Sequence, residues 1–520
     1  MSAAPPNILF ITSDQQHWRT LGHLNPELQT PNLDRLALAG ASFRRAYTVN
    51  PTCTPTRASW ITGLYPSQHG AYALGTKLPE NVPTIGAILS RHGYRTALIG
   101  KAHFQPTVSS AQYPSLEAYP KLHDLDFWEK FHGPFYGFEH VELARGHTDE
   151  FLVGQHYALW MQAKGYKNWR NYFLPTPPER RDPQGKDLPD SNRKPLAPGE
   201  GRWDIPEEIH YNTWIAERTN ALLAEYRRRG DHFFLWASFF DPHPQYMVPD
   251  PYAGMYDPEK VTVPEYRPGE FDDKPPYFRL ALQPNPDFKE FAEPEGNCIH
   301  GAGSHLCRRE VKARNIATMY GMVTMLDKYI GKILEQLHEL GLAGNTLVCF
   351  TSDHGDFWGQ HGLIGKAIHH YEDLLRVPLI VRLSGRIPQG KVSDALQSTL
   401  DLPQTFLSLA GVPPPRTMAG VDQKEVWLGK RAAARDHVIV ENQHQPTTMH
   451  LRTFIDRRYK VTVHYNRPYG ELYDLEADPG EYTNLWDHPE SRELKRELLM
   501  KFLHAEMAKA PLPMPRIAGA

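Results

Sequence analysis

Chemistry-bearing side chains recur at one kind of place in this sequence, directly after short apolar runs rich in β-branched and aromatic residues. ILFI (8–11) is followed by Asp14 and Gln15, TALIG (96–100) by Lys101 and His103, FFLWASFF (233–240) by Asp241 and His243, and TLVCFTS (346–352) by Asp353 and His354. Taken singly, any one of these residues is equally well explained as a turn or helix-cap residue. In an open parallel sheet, however, ligands bind outside the carboxyl ends of the strands, so four such tips can converge on one crevice. Asp14, Gln15, Asp353 and His354 would then surround one divalent cation. Three hard oxygens suit Ca2+, Mg2+ or Mn2+, and the imidazole nitrogen shifts the preference toward a transition metal such as Mn2+. No H-E-x-x-H and no cysteine or histidine cluster with zinc-finger spacing occurs, which excludes the common zinc sites.

The second informative stretch is NPTCTPTRASWITGLYPSQHG (50–70). Pro55 suits the first turn of a helix, and Arg57 follows Cys53 by one helical turn. A thiol at a helix N-terminus beside a guanidinium sits in a field that favours anions and thiolate. A lone cysteine is more simply a small buried side chain, so the surrounding pentapeptide decides. C-T-P-T-R resembles the C-x-P-x-R signature of type I sulfatases, whose cysteine is oxidised to formylglycine by a formylglycine-generating enzyme. The resemblance runs through nearly the whole chain. ILFITSDQQ looks like the family's opening metal strand and GKAHF like its G-K-x-H element. FFDPHPQY is similar to D-P-H-x-P-Y, TSDHGDFWGQHGLIGK to D-[NH]-G...G-x-H-G...K, and GELYDLEADPGEYTNL to the family's C-terminal signature.

The resemblance implies an α/β fold like that of alkaline phosphatase, with a large, mostly parallel central sheet flanked by helices and a smaller C-terminal antiparallel sheet with a helix. It also implies roles. Hydrated formylglycine at position 53, beside one Ca2+ or Mn2+ ion held with Asp14, Gln15, Asp353 and His354, attacks the sulfur of a small sulfate ester and forms a covalent ester. His103 takes the proton of the second hydroxyl, which expels sulfate. Arg57 and Lys101 hold the formylglycine and the sulfuryl oxygens, and His243 and Lys366 stabilise or protonate the leaving alkoxide. The chain departs from many sulfatases in carrying Asp14-Gln15 rather than two aspartates, and Asp353-His354 rather than Asp-Asn. Both features are similar to the phosphonate monoester hydrolases of the same superfamily, and an amide in place of a carboxylate leaves the metal pocket one charge less negative. The G-K-x-H element argues for sulfate esters, with phosphonate monoesters or phosphate diesters as the alternative substrates. A metal-binding but non-catalytic member of the fold is the remaining reading; it has no need of a nucleophile next to a base.

The elements that must position these residues alternate in a βα pattern, which predicts a sheet covered on both faces. TPNLDRLALAG reads as a helix with Thr30 as cap, Pro31 at its first position and Gly40 ending it, and VPTIGAILSRHG as a second, closed at Gly93. Residues 318–340 have the apolar period of a long helix whose methionines and leucines face the core. Two long irregular stretches, 175–207 and 242–305, read as functional lids or interface arms, or else as disordered segments. Their aromatic residues, with Trp128, Tyr136, Trp160, Trp169, Trp203 and Tyr246, are candidates either to line an organic-group pocket or simply to pack. Alternating strands and a charged helix (490–509) close the chain. The division expected is a catalytic domain over 1–425, with insertions at about 104–232 and 242–305, and a subdomain over 426–520.

With 57 Lys+Arg against 60 Asp+Glu in 520 residues, nothing electrostatic suggests a nucleic acid or an anionic membrane as partner. No apolar run approaches the ~20 residues of a membrane span, and the N-terminus lacks the pattern of a secretory signal. Four cysteines cannot form a disulfide framework, and Cys298 and Cys307 read as free thiols. A cytoplasmic enzyme acting on small esters, and a homo-oligomer, are the expectations.

Overall fold

The computed structural model describes residues 4–175, 201–283, 287, 290, 304, 307–366, 368–445, 449–511 and 513–517. Eight strands form the central sheet: β1 (Asn7–Ser13), β2 (Ala41–Phe43), β3 (Tyr94–Gly100), β4 (His140–Leu143), β5 (His232–Ser238), β6 (Thr346–Ser352), β7 (Leu379–Arg382) and β8 (Lys391–Ser393). Their spatial order is β8-β2-β7-β6-β1-β5-β3-β4. The five from β6 to β4 pair in parallel, while β7 runs antiparallel to both of its neighbours. The sheet is therefore mostly parallel, as the βα pattern predicts.

Alternation along β1 divides the core. Leu9 and Ile11 face a layer that includes helices Tyr211–Arg229 and Arg309–Glu339, whereas Ile8 and Phe10 face helices Cys53–Thr62, Ile85–Arg91 and Leu402–Leu409. Every residue of β1 and β6 is buried, which is why both read as unbroken apolar runs. The long helix begins at Arg309, nine residues before its predicted start at 318, because its first turns are largely polar and only Ala313, Ile316 and Ala317 there are buried. Helix Pro31–Leu38 starts as expected, but the Thr30 hydroxyl does not cap it; it accepts from the Gly22 N–H and donates to Asp34. Gly40 lies beyond the cap residue Ala39. Its bare Cα is required by packing, since a Cβ there would come within 2.1 Å of the Val381 carbonyl oxygen on β7.

A four-stranded antiparallel sheet (Val438–Gln445, Met449–Ile455, Tyr459–His464, Gly470–Asp474) and helix Arg492–Ala508 follow in sequence. This sheet grips both ends of the helix that begins at Cys53. The Asn50 amide donates to the Glu441 carbonyl at 2.6 Å, and Ser67 gives its N–H and hydroxyl to the Glu441 carboxylate at 2.8 and 2.9 Å. Lys509 closes on the same carboxylate, and its carbonyl accepts from Gln68. Among the described residues no helix is long and apolar enough to cross a membrane. Cys307 carries a free thiol, and Cys298 lies outside the described residues, as does most of the 242–305 stretch beyond 283.

Candidate active site

The carboxyl ends of β6, β1, β5 and β3, four neighbours in the sheet, deliver Asp353 and His354, Asp14 and Gln15, His243, and Lys101 and His103 respectively. Cys53 is the first residue of its helix and is completely buried. Its Sγ lies 3.3 Å from His354 Nε2, 3.5 Å from Asp14 Oδ1 and 3.2 Å from Lys366 Nζ. Lys366 in turn lies 3.3 Å from His243 Nε2. Lys101 pairs directly with Asp14. Of the strand-tip residues singled out in the sequence, Asp241 turns away from this cluster: its carboxylate accepts from the Tyr211 hydroxyl and from the Asn212 amide at 2.6 Å.

The donor set suits a single cation. Atoms of Asp14, Cys53, Asp353 and His354 all lie within 4.8 Å of one another. The His354 Nδ1 donates to the Gly355 carbonyl at 2.9 Å, which leaves Nε2 with its lone pair toward Cys53. Gln15 Oε1 is buried with no hydrogen-bond partner among the described residues, as expected of an oxygen set aside for a metal. Gln15 also has φ of 59°, in the left-handed region that non-glycine residues rarely adopt, and so does His103, with φ of 60°. At Gln15 that conformation accompanies an N–H bond to Asp353 Oδ1 at 2.9 Å, which ties the two strand tips together.

Charge is balanced tightly. Burial pushes the Asp14 carboxyl up, but Lys101, with Arg57 and Lys366, holds it well below the usual carboxylate range. Burial and the Asp14 charge oppose ionisation of Cys53, yet Lys101 and Lys366 bring its thiol below the ordinary value. Burial and the neighbouring cations keep His103 and His243 neutral.

Arg57 and His103 have partners that the sequence does not announce. Arg57 is fully buried and acts as a brace: Nε donates to Asp353 Oδ2 at 2.8 Å, and one terminal nitrogen to Ser238 Oγ at 2.8 Å and the Lys101 carbonyl at 3.1 Å. His103 makes no hydrogen bond to Cys53; its Nε2 accepts from Arg145 at 2.7 Å. Trp128, Trp169 and Trp203 belong to the cores, so these aromatics pack and do not line a substrate pocket.

Arg145, Glu117 and Asp356 were not found from the sequence. Arg145 follows β4, and the strand-tip rule would have found it had HVEL been read as a strand; its His140 and Glu142 hide it. Glu117, buried, accepts the backbone N–H groups of His103, Phe104 and Gln105, each at 2.8 Å, and no local pattern announces it. Asp356 lies in the DHGD segment itself.

The large, mostly parallel sheet with a separate small antiparallel sheet is the architecture of α/β hydrolases that include solved sulfatases and phosphonate monoester hydrolases. The sulfatase family model matches residues 6–412, and the chain belongs to that family. A model for the C-terminal region of N-sulphoglucosamine sulphohydrolase matches residues 359–508. The chain is 28% identical over 511 residues to an arylsulfatase of Clostridium perfringens (strain 13 / Type A), covering 96% of this chain and 94% of that one. It is 28% identical over 545 residues to the multifunctional alkaline phosphatase superfamily protein PehA of Trinickia caryophylli, covering 97% and 96%. A phosphonate monoester hydrolase from Silicibacter pomeroyi shares the fold with a TM-score of 0.77 at 23% identity over 97% of this chain and 96% of that one.

Proposed function

We propose that the protein is a sulfuric ester hydrolase of arylsulfatase type, acting on small sulfate monoesters through formylglycine derived from Cys53 and one divalent cation, Ca2+ or Mn2+. The observation that carries the reading is the position of Cys53 Sγ, within 3.5 Å of Asp14, His354 and Lys366, between the metal donors and a proton source. Asp14, Gln15, Asp353, His354 and the oxidised residue 53 would hold the cation. When bound, the cation supplies Lewis-acid stabilisation of the sulfuryl oxygens and of the attacking oxygen. Hydrated formylglycine supplies one hydroxyl for attack and a second whose deprotonation releases sulfate.

The chain's own residues divide the remaining work. Lys366 carries the proton, because its neighbour His243 is neutral and accepts from it; the pair delivers that proton to the departing alkoxide. Lys101, paired with Asp14, lends positive charge where the sulfuryl oxygens gather. His103, neutral and held on the Glu117 loop with Nε2 beside Arg145, is the base for release. The neutral Gln15 amide among the metal donors favours a second reading, hydrolysis of phosphonate monoesters or phosphate diesters at the same site.

The test pairs a mass measurement with kinetics. The peptide containing Cys53 should carry the aldehyde, and an aryl sulfate should show a higher kcat/KM than an aryl phosphonate monoester of the same leaving group. His103→Ala should release phenol in the first turnover only. Fully active protein with an unmodified thiol refutes the nucleophile, and phosphonate esters exceeding every sulfate ester by orders of magnitude establish the second reading.

A further inference from the structure

Asp356 is fully buried and lies two residues beyond His354. Each of its oxygens has a donor from another strand tip: Oδ1 receives Gln15 Nε2–H at 2.8 Å, and Oδ2 receives the Tyr246 hydroxyl. Three segments (DQQ after β1, DPHPQY after β5 and DHGD after β6) therefore meet at one carboxylate. An ionised carboxylate only accepts, so it selects which end of the Gln15 amide it faces: the NH2 must turn toward Asp356 and the carbonyl oxygen away. That oxygen is buried and unpartnered. A carboxylate at position 15 would need no such selection, because its two oxygens are equivalent.

We infer that Asp356 is a positioning residue for the metal site: it fixes the amide of Gln15 so that Oε1, and never Nε2, is presented to the cation. The acidic group missing from position 15 is thus kept one residue further from the metal. It orients the ligand there without adding charge to the ion's own shell. The inference rests on the proposed single-metal site.

Its test reads metal affinity and needs no turnover. Full-length protein, stripped with chelator, is titrated with Mn2+ by calorimetry, and thermal unfolding confirms that each variant is folded. Asp356→Leu leaves the Gln15 amide without its acceptor and should weaken Mn2+ binding by about 10–100-fold, the range for lost outer partners of metal ligands. The double variant Gln15→Glu/Asp356→Asn exchanges the two groups and restores a defined geometry. The amide introduced at position 356 can donate to one oxygen of the carboxylate introduced at position 15 and accept from Tyr246, which leaves the other carboxylate oxygen for the cation. This variant should bind Mn2+ at least as tightly as the wild type. Wild-type affinity in Asp356→Leu, or a folded double variant no better than Asp356→Leu, overturns the inference alone. A wild type that takes up neither Mn2+ nor Ca2+ overturns the proposed metal site as well.

Discussion

Replacing Arg57 by methionine separates bracing from substrate contact. The guanidinium is wholly buried, makes three hydrogen bonds to Asp353, Ser238 and the Lys101 carbonyl, and lies 3.9 Å from Asp14. Its stem packs near Trp60 and Trp236, with the guanidinium carbon 5.7 and 6.0 Å from their rings, and methionine retains much of that volume. What is lost is one positive charge between two buried carboxylates, Asp14 and Asp353. Removing one partner of a buried, hydrogen-bonded pair costs about 3–5 kcal/mol. For a chain this long, an unfolding entropy of about 2.1 cal/mol/K per residue amounts to about 1.1 kcal/mol/K, so Tm should fall by roughly 3–5 °C. A divalent cation bound between the same carboxylates compensates for the missing charge, so added metal should raise Tm more in the variant than in the wild type. The assay is scanning calorimetry in chelator and then across a Mn2+ series. A shift below about 1 °C in chelator, or equal metal-induced gains in both proteins, would refute the argument that Arg57 braces the metal carboxylates.

Three other outcomes are expected. Lys366→Met should lower kcat on an aryl sulfate by about 10²–10⁴-fold and spare esters of very acidic phenols, because the lost function is protonation of the leaving oxygen; a uniform loss across leaving groups counts against that role. Glu117→Gln gives up charged acceptors for three backbone N–H groups and should lose about 3 kcal/mol of stability together with most turnover, read by denaturant unfolding and steady-state kinetics. His156 is buried with Nδ1 accepting from the Leu143 N–H and Nε2–H donating to the Phe131 carbonyl at 2.8 Å, and burial brings its pKa down to about 4. The folded state therefore refuses a proton that the unfolded chain takes below about pH 6.5, and stability falls as pH drops through that window, by about 2 kcal/mol from this group at pH 5. His156→Gln preserves both hydrogen bonds and should flatten the pH 5–7 stability slope by one proton; an unchanged slope contradicts the assignment.

What could be read from the sequence followed from periodicity and from strand tips. β1, β5 and β6 are buried on both faces, so their apolar runs stand out, and the residues after them fall into one crevice. β4 escaped because a four-residue edge strand with His140 and Glu142 has no apolar run. Arg145 went unseen with it. The long helix was shortened because an amphipathic pattern starts only where a helix meets the core, whereas its first turns at Arg309 are largely solvated. Arg57 was recognised as part of the site, but nothing local reveals that Asp353, almost 300 residues away in the chain, receives its Nε–H. Glu117 and Asp356 act through backbone and amide groups of other segments. Such partners are chosen by the tertiary fold and leave no spacing to read.

The grip of the last sheet on the Cys53 helix imposes an order in time. Glu441 and Lys509, which fasten Asn50, Ser67 and Gln68, are among the late residues to be synthesised. At about 5–20 residues per second, roughly 20–90 s pass between the making of Cys53 and that of Lys509. For that interval the cysteine helix lacks its final clasp, and afterwards the thiol is sealed from any enzyme in solution. The maturation proposed for Cys53 would therefore have to precede the closing of this clasp.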